Sequence, residues 1–223
     1  VYYIDEAIEN IASYGVAKEK IFITYNSPDT DTHLAIEAQL HEQKAEHPNL
    51  LHVGRLVKWK RVDLLIDAYR KLKIKYPQLT LTIVGNGPEE ANLKNYAAAD
   101  SDIIFLGAIY DPMELGRVFK SASIYVLAGM GGLSINEAMC YGLPIICSVA
   151  DGTEKAIVRA DYNGYYFERD NLTSLCDSID LLLQDETKLK LFGERSLSII
   201  KEEINIRTVS KRYVKAFEYV MKN

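Results

Sequence analysis

The sequence predicts an α/β domain built on a doubly wound parallel sheet of about six strands, and three observations predict it. Short apolar runs recur along the chain, each followed by a turn residue. Helical patterns fill the spaces between them, and most of the runs are apolar on both faces. A strand covered by helices on both sides needs such a run, whereas a strand with one wet face alternates apolar with polar residues. Strands that alternate with amphipathic helices read as crossover units, which set neighbouring strands parallel.

In chain order the runs are LLHVG (50–54), LTLTIVG (79–85), DIIFLG (102–107), SIYVLAG (123–129), PIICS (144–148) and GYYF (164–167). After the first, Val62, Leu65, Ile66, Tyr69 and Leu72 form an i, i+3, i+4, i+7 stripe with lysines and arginines opposite, the mark of an amphipathic helix. Asp111 before Pro112 is a helix start, the acid as N-cap and the proline at the first helical position. From Asn171 onward only helical patterns remain, and Asn171-Leu172-Thr173 reads as an ordinary helix start rather than as a glycosylation site. The first stretch differs: it predicts a helix over 5–14, a strand over 20–26, the turn NSPDTD, and a charged helix over 32–46 with Asp31 as its N-cap.

A chain of 223 residues, 48% hydrophobic and 26% charged, can bury a substantial core in one or two domains. Its net charge of −5 argues against broad binding to nucleic acid or to an anionic membrane, both of which favour a basic face. Cys140, Cys147 and Cys176 have no metal-ligand spacing and cannot close a disulfide framework, so they read as reduced and buried. No apolar run approaches the roughly 20 residues of a membrane span, and no secretory pattern is visible, so a cytoplasmic setting is expected. The chain opens in mid-element without Met, which suggests a piece of a longer protein.

In open parallel sheets ligands bind beyond the carboxyl ends of the strands, so the post-strand turns GRLVKWK, GNGPEE, GAIYD, GMGGLS and VADGTE are the places to search. Glycine lets a ligand approach the backbone and leaves amides free to face it, and a helix start adds attraction for phosphate. GMGGLS, opening the helix INEAMCYG, meets that description, although a tight connection would also use glycine. Arg55 and Lys60 follow the first strand and can bring two cations toward one pyrophosphate, or else be solvated charges of the run KWKR. Glu137, one helical turn beyond Leu133, can point its carboxylate back to accept two hydroxyls, as from a ribose, or face solvent near the helix dipole. VGNGPEE has Glu90 where a dinucleotide fingerprint puts its third glycine and follows the wrong strand, which argues against nicotinamide or flavin binding. His33, His41, His47 and His52 lack ligand spacing and read as surface or cap residues. Trp59 reads as a ring packed over the base of its turn, and Ser134 lacks a nucleophile frame.

Taken together, VGRLVKWKRVDLLIDAYRKL, LTIVGNGPEEANL, IIFLGAI, GGLSINEAMCYGLPIICSVADGTE and NGYYF resemble the carboxy-terminal half of retaining, GT-B-fold glycosyltransferases of family 4, from about Leu50 to Leu175. The resemblance implies a Rossmann-like donor domain over 31–203, a remnant of an amino-terminal domain and linker over 1–30, and a helix over 204–223 that packs back on an acceptor domain. It implies that Arg55 and Lys60 hold the donor diphosphate, with Arg61 replacing the usual glycine. Ile109 meets the base through its backbone, Gly131, Gly132, Leu133 and Ser134 present the turn to phosphate, and Glu137 holds the ribose. Gly54, Gly85, Asn86 and Gly87 complete the implied donor site.

The family usually writes E-G-F-G-L before this helix; here Gly129 takes the place of the acid that contacts the donor sugar, and Gly131 that of the phenylalanine. The implied activity is sugar transfer from a nucleoside-diphosphate donor to a glycan or lipid acceptor, without metal or cofactor and with little transfer by this piece alone. The implied setting is cytoplasmic, with membrane contact only through the missing domain. A non-catalytic partner of the same fold, or a nucleotide-sugar epimerase, are the other readings.

Overall fold

Each of the six apolar runs from 50 to 167 forms a strand of the sheet, its ends within two residues of the run. The structure, a computed structural model, describes residues 1–41, 46–148, 152 and 154–222. The strands are β1 (Asn49–Val53), β2 (Thr80–Val84), β3 (Ile103–Gly107), β4 (Ile124–Leu127), β5 (Ile145–Ser148) and β6 (Gly164–Phe167). They pair in the order β3-β2-β1-β4-β5-β6, all parallel, with Leu51 opposite both Thr82 and Tyr125.

The crossovers carry α3 (Val62–Lys75), α4 (Glu90–Tyr96), α5 (Pro112–Ser121), α6 (Ser134–Cys140) and α7 (Glu154–Ile157). Upstream lie α1 (Ala7–Ala12) and α2 (Thr30–Gln39); downstream α8 (Leu172–Leu183), α9 (Glu186–Glu202) and α10 (Ile206–Lys222). Along β1 the side chains alternate between two cores. Leu50 packs with Leu65, Ile66 and Tyr69 of α3, while Leu51 and Val53 pack with Phe119 of α5 and Ile135 and Met139 of α6. Both faces are buried, which is why the run is continuous rather than alternating. β3 departs from this pattern: it is the edge of the sheet, and Ile104 and Leu106 stay exposed on one of its faces.

Caps set the helix starts as read from the sequence. Asp111 accepts from Glu114 N at 2.7 Å and Asn171 from Ser174 N at 3.0 Å, so the sequon asparagine begins α8. α2 differs from expectation in two ways. Its cap is Asp29, which accepts from Thr32 N at 3.2 Å, and Asp31 pairs instead with Arg207 of α10 at 2.9 Å. The helix ends at Gln39, where Leu40 turns extended, so the predicted span to residue 46 is too long; of that span, 42–45 lie outside the described residues.

The strand expected over 20–26 does not form: a 3-10 turn over Lys18–Lys20 leads to a single parallel bridge between Ile23 and Tyr2. A two-stranded contact with no sheet beside it does not propagate, and this segment is held by side chains instead. Phe22 lies 5.4 Å from Tyr219 of α10, Arg212 sits 4.4 Å over Tyr25, and Ile206 N donates to Thr30 Oγ1 at 3.0 Å. The other face of α10 exposes Val214, Phe217, Val220 and Met221. Cys140 and Cys147 are buried as expected, whereas Cys176 of α8 is only half-buried. Among the described residues no helix is long and apolar enough to cross a membrane.

Candidate functional site

The strand order reverses between β1 and β4, so the turns that leave them diverge around a crevice at the carboxyl edge of the sheet. The turn after β1 carries Arg55 to Arg61, and the turn after β4 carries Gly129 to Leu133. Backbone and side chain lock the two together: Met130 N donates to Trp59 O at 3.0 Å, and Lys60 Nζ donates to Met130 O at 2.8 Å and to Gly131 O. Beneath them Ser148 Oγ donates to Gly129 O at 3.1 Å, tying the turn to the end of β5.

Gly129 is required by this packing. A Cβ there would overlap the Trp59 carbonyl oxygen and fall 2.6 Å from Lys60 Cα, so no side chain fits. Gly131 holds a φ of 30°, in the left-handed region that glycine reaches without a Cβ penalty. Gly132 and Leu133 follow, and Ser134 opens α6 with its Oγ 2.6 Å from the Tyr125 hydroxyl, which donates on to Val53 O at 3.1 Å. Thus one buried tyrosine of β4 joins the ends of β1, β4 and the start of α6.

The two cations behave differently. Lys60 is half-buried, and desolvation pulls its ammonium below the usual lysine range while the Glu154 carboxylate pushes it back up. Arg55 is exposed, and among the described residues its guanidinium has no hydrogen-bond or ion-pair partner. Arg61 takes a left-handed φ of 49°, the conformation that favours the glycine it replaces, and pairs with Asp63 and Asp170.

Glu137 faces α2, with Oε1 3.8 Å from His33 Nε2, and burial raises its carboxyl above the ordinary glutamate range. His33 Nδ1 lies 3.2 Å from the Tyr141 hydroxyl. Burial pushes the Tyr141 phenol up and the His33 imidazole down; the neutral tautomer that accepts from Tyr141 at Nδ1 is the one that presents an Nε2–H toward Glu137. The expectation of a surface or cap role for His33 is therefore corrected: α2 packs on α6 and carries the imidazole against it.

His52 is also not at the surface. It is fully buried on β1, its Nδ1 donates to Val126 O at 3.2 Å, and burial pushes its pKa down to about 4. Its Nε2 has no partner among the described residues. Trp59 is 56% exposed, more open than the expected ring packed over the base of its turn.

The remaining expected residues form the floor and flank. Gly54 N donates to Val84 O at 3.0 Å, Gly85 N to Gly107 O at 2.7 Å, and Leu56 N to Asn86 O at 2.8 Å, so three post-strand turns are stitched side by side. Asn86 is exposed, Gly87 backs onto Leu56, and Ile109 is half-buried against the α5 core. Sequence reasoning missed Glu154, which is 3% exposed at the start of α7 and stands beside Gly131. Its signal was the acid closing the post-strand turn VADGTE, of which 149–151 and 153 lie outside the described residues. Among the described residues no cluster of His, Cys, Asp and Glu is arranged to hold a metal ion.

A six-stranded parallel sheet flanked by helices, in the order β3-β2-β1-β4-β5-β6, is the Rossmann-like architecture of a GT-B carboxy-terminal domain. Residues 35–198 match the family Glycosyl transferases group 1, and the chain belongs to that family. It is 30% identical over 176 residues to an uncharacterized glycosyltransferase of Haemophilus influenzae, a match that covers 76% of this chain and 49% of that protein. A match at 29% identity to an uncharacterized glycosyltransferase of Methanocaldococcus jannaschii covers 98% of this chain and 58% of that protein. The chain thus spans about half the length of these relatives. Among solved structures, Anabaena HepE in complex with UDP superposes with a TM-score of 0.80 at 20% identity, covering 98% of this chain and 63% of HepE. The shared fold is that of the carboxy-terminal domain of GT-B glycosyltransferases.

Proposed function

We propose that this chain is the nucleotide-sugar-binding half of a retaining glycosyltransferase that moves a sugar from a nucleoside-diphosphate donor to a glycan or lipid acceptor. The observation that carries the reading is Lys60 held on the glycine turn that opens α6, the helix of Glu137, at the switch point of the sheet. Among the described residues the amides of Gly132, Leu133 and Ser134 donate to no backbone carbonyl, which leaves them available to phosphate oxygens. Arg55, without a partner among the described residues, is available to the same ligand, and the Glu137 carboxylate suits the two hydroxyls of a ribose. HepE and Staphylococcus aureus TarM, the latter at 18% identity and a TM-score of 0.79, were both solved with UDP, which supports a nucleoside diphosphate as ligand.

Fixed cations then do what a metal ion would otherwise do: charge that develops on the leaving diphosphate meets Arg55, Lys60 and the turn amides already in place. The acceptor belongs to a domain outside this chain, so the piece alone binds donor and transfers little. The setting is the cytoplasmic face, where nucleotide sugars are available. Gly129 favours a second reading, a non-catalytic partner of the same fold, because its packing leaves no place for a sugar-contacting side chain. Calorimetric titration of the full-length protein with UDP, GDP and ADP tests the donor reading: one of them binds with micromolar to submillimolar affinity, and no binding by any at millimolar concentration would overturn it. Sugar transfer or donor hydrolysis by the full-length protein separates the enzyme from the partner.

A further inference from the structure

We propose that Glu154 is the positioning residue of Lys60: its buried carboxylate, beside Gly131, supplies the counter-charge that holds the ammonium against the glycine turn. A carboxylate only 3% exposed is strongly disfavoured unless an opposite charge compensates it. The Tyr166 hydroxyl lies 2.9 Å from Val158 O and 3.1 Å from the Glu154 backbone carbonyl, so it holds the backbone around α7 and not the carboxylate. That carboxylate lies between Gly152, where a Cβ would overlap Oε2, and the turn, its Oε1 3.7 Å from where a Gly131 Cβ would sit.

Lys60 reaches the same glycine from the turn after β1, through its bond to Gly131 O, and a Cβ on Gly132 would stand 3.0 Å from its Nζ. The turn can supply no negative charge of its own, since position 129 takes no side chain. Among the described residues the other titratable groups beside this pair stay neutral. Burial, and then the Lys60 charge, hold His52 of β1 unprotonated, while burial first and the Glu154 charge among the lesser causes push up the Cys147 thiol of β5 and the Tyr166 phenol of β6. Lys155 turns away to pair with Glu6 at 3.1 Å. Glu154 is thereby the group that keeps a half-buried Lys60 charged and seated. Its consequence for donor binding rests on the reading above that Lys60 meets the diphosphate.

The test uses the full-length protein. The Lys60 Nζ is titrated by NMR of labelled lysine, assigned with Lys60→Arg, in the wild type, Glu154→Gln and Glu154→Asp. Glu154→Gln is expected to lower the Lys60 midpoint by about one pH unit, the size of effect an opposite charge at this range makes, with Glu154→Asp in between. An unmoved midpoint in a cooperatively folding Glu154→Gln protein overturns the proposal. Should that variant not fold, an unmoved midpoint in Glu154→Asp does the same. In parallel, UDP is titrated between about pH 7 and pH 10, around the lysine range, and the alkaline loss of affinity should move down with the Lys60 midpoint in Glu154→Gln. Failure of the wild type to bind UDP, GDP or ADP counts against the donor reading and leaves the NMR midpoint to judge Glu154. Binding with an unmoved midpoint counts against Glu154 alone.

Discussion

The turn after β2, Gly85-Asn86-Gly87, and the turn after β4, Gly129-Met130-Gly131-Gly132, are both glycine-rich and both leave the carboxyl edge of the sheet. In the first, glycine serves backbone packing: a Cβ on Gly85 would overlap Gly54 O, and the exposed Asn86 is the polar side chain between the two glycines. In the second, the same kind of packing, Gly129 on the Trp59–Lys60 backbone, also draws in Lys60, Ser148 and Glu154. Glycine content alone therefore does not mark a ligand site. What distinguishes the second turn is buried charge gathered around it, a cost that a mere connection has no reason to carry.

The largest expected effect tests what the two turns share. Gly85→Ala and Gly129→Ala each push a methyl group into backbone that cannot turn aside, and each should cost about 3 kcal/mol by the denaturant midpoint. A cost below about 1 kcal/mol at Gly129 would break the account of why no side chain stands there. Next comes pH. His52 has a folded pKa of about 4, below its unfolded value of 6.5, so the folded state binds fewer protons and stability falls as pH drops through that window. Its share approaches about 3 kcal/mol near pH 4, read as the acid-limb difference between wild type and His52→Leu in urea unfolding.

A smaller effect separates the two cations. Lys60→Ala should weaken binding of UDP, or of whichever diphosphate binds, about a hundredfold, and Arg55→Ala about tenfold, by loss of charge-assisted hydrogen bonds. Arg55→Ala should leave the melting temperature unchanged, because the side chain it removes is exposed and unpartnered among the described residues. Retained affinity in both variants would break the contrast drawn between the turns. The smallest is Arg61→Gly. Relief of a left-handed φ offsets loss of the Asp63 and Asp170 pairs, and the net change in melting-derived stability should stay within about 0.5 kcal/mol.

Much of this was legible beforehand, and for identifiable reasons. The runs LLHVG and SIYVLAG are apolar because both faces of β1 and β4 are buried, so period and burial agree. The stripe from Val62 to Leu72 and the Asp111-Pro112 start are local signals, and local interactions satisfy them. Residues 20–26 look like a strand in isolation, yet no neighbour extends the bridge at Ile23, and packing on α10 decides their path. His33 and His52 carry no motif, and their importance arises from what surrounds them: α6 in one case, the β1–β4 pair in the other.

By itself the sequence determined the fold class, the order of strand and helix, and the glycine turns at the carboxyl edge of the sheet, because alternation, capping and glycine act over a few residues. Only the tertiary structure decided the charge balance of the site. Lys60 and Glu154 are 94 positions apart in the chain and meet across Gly131 because β1, β4 and β5 lie side by side. Desolvation and Coulomb energy depend on what surrounds a charge in space, and the chain order alone does not contain that.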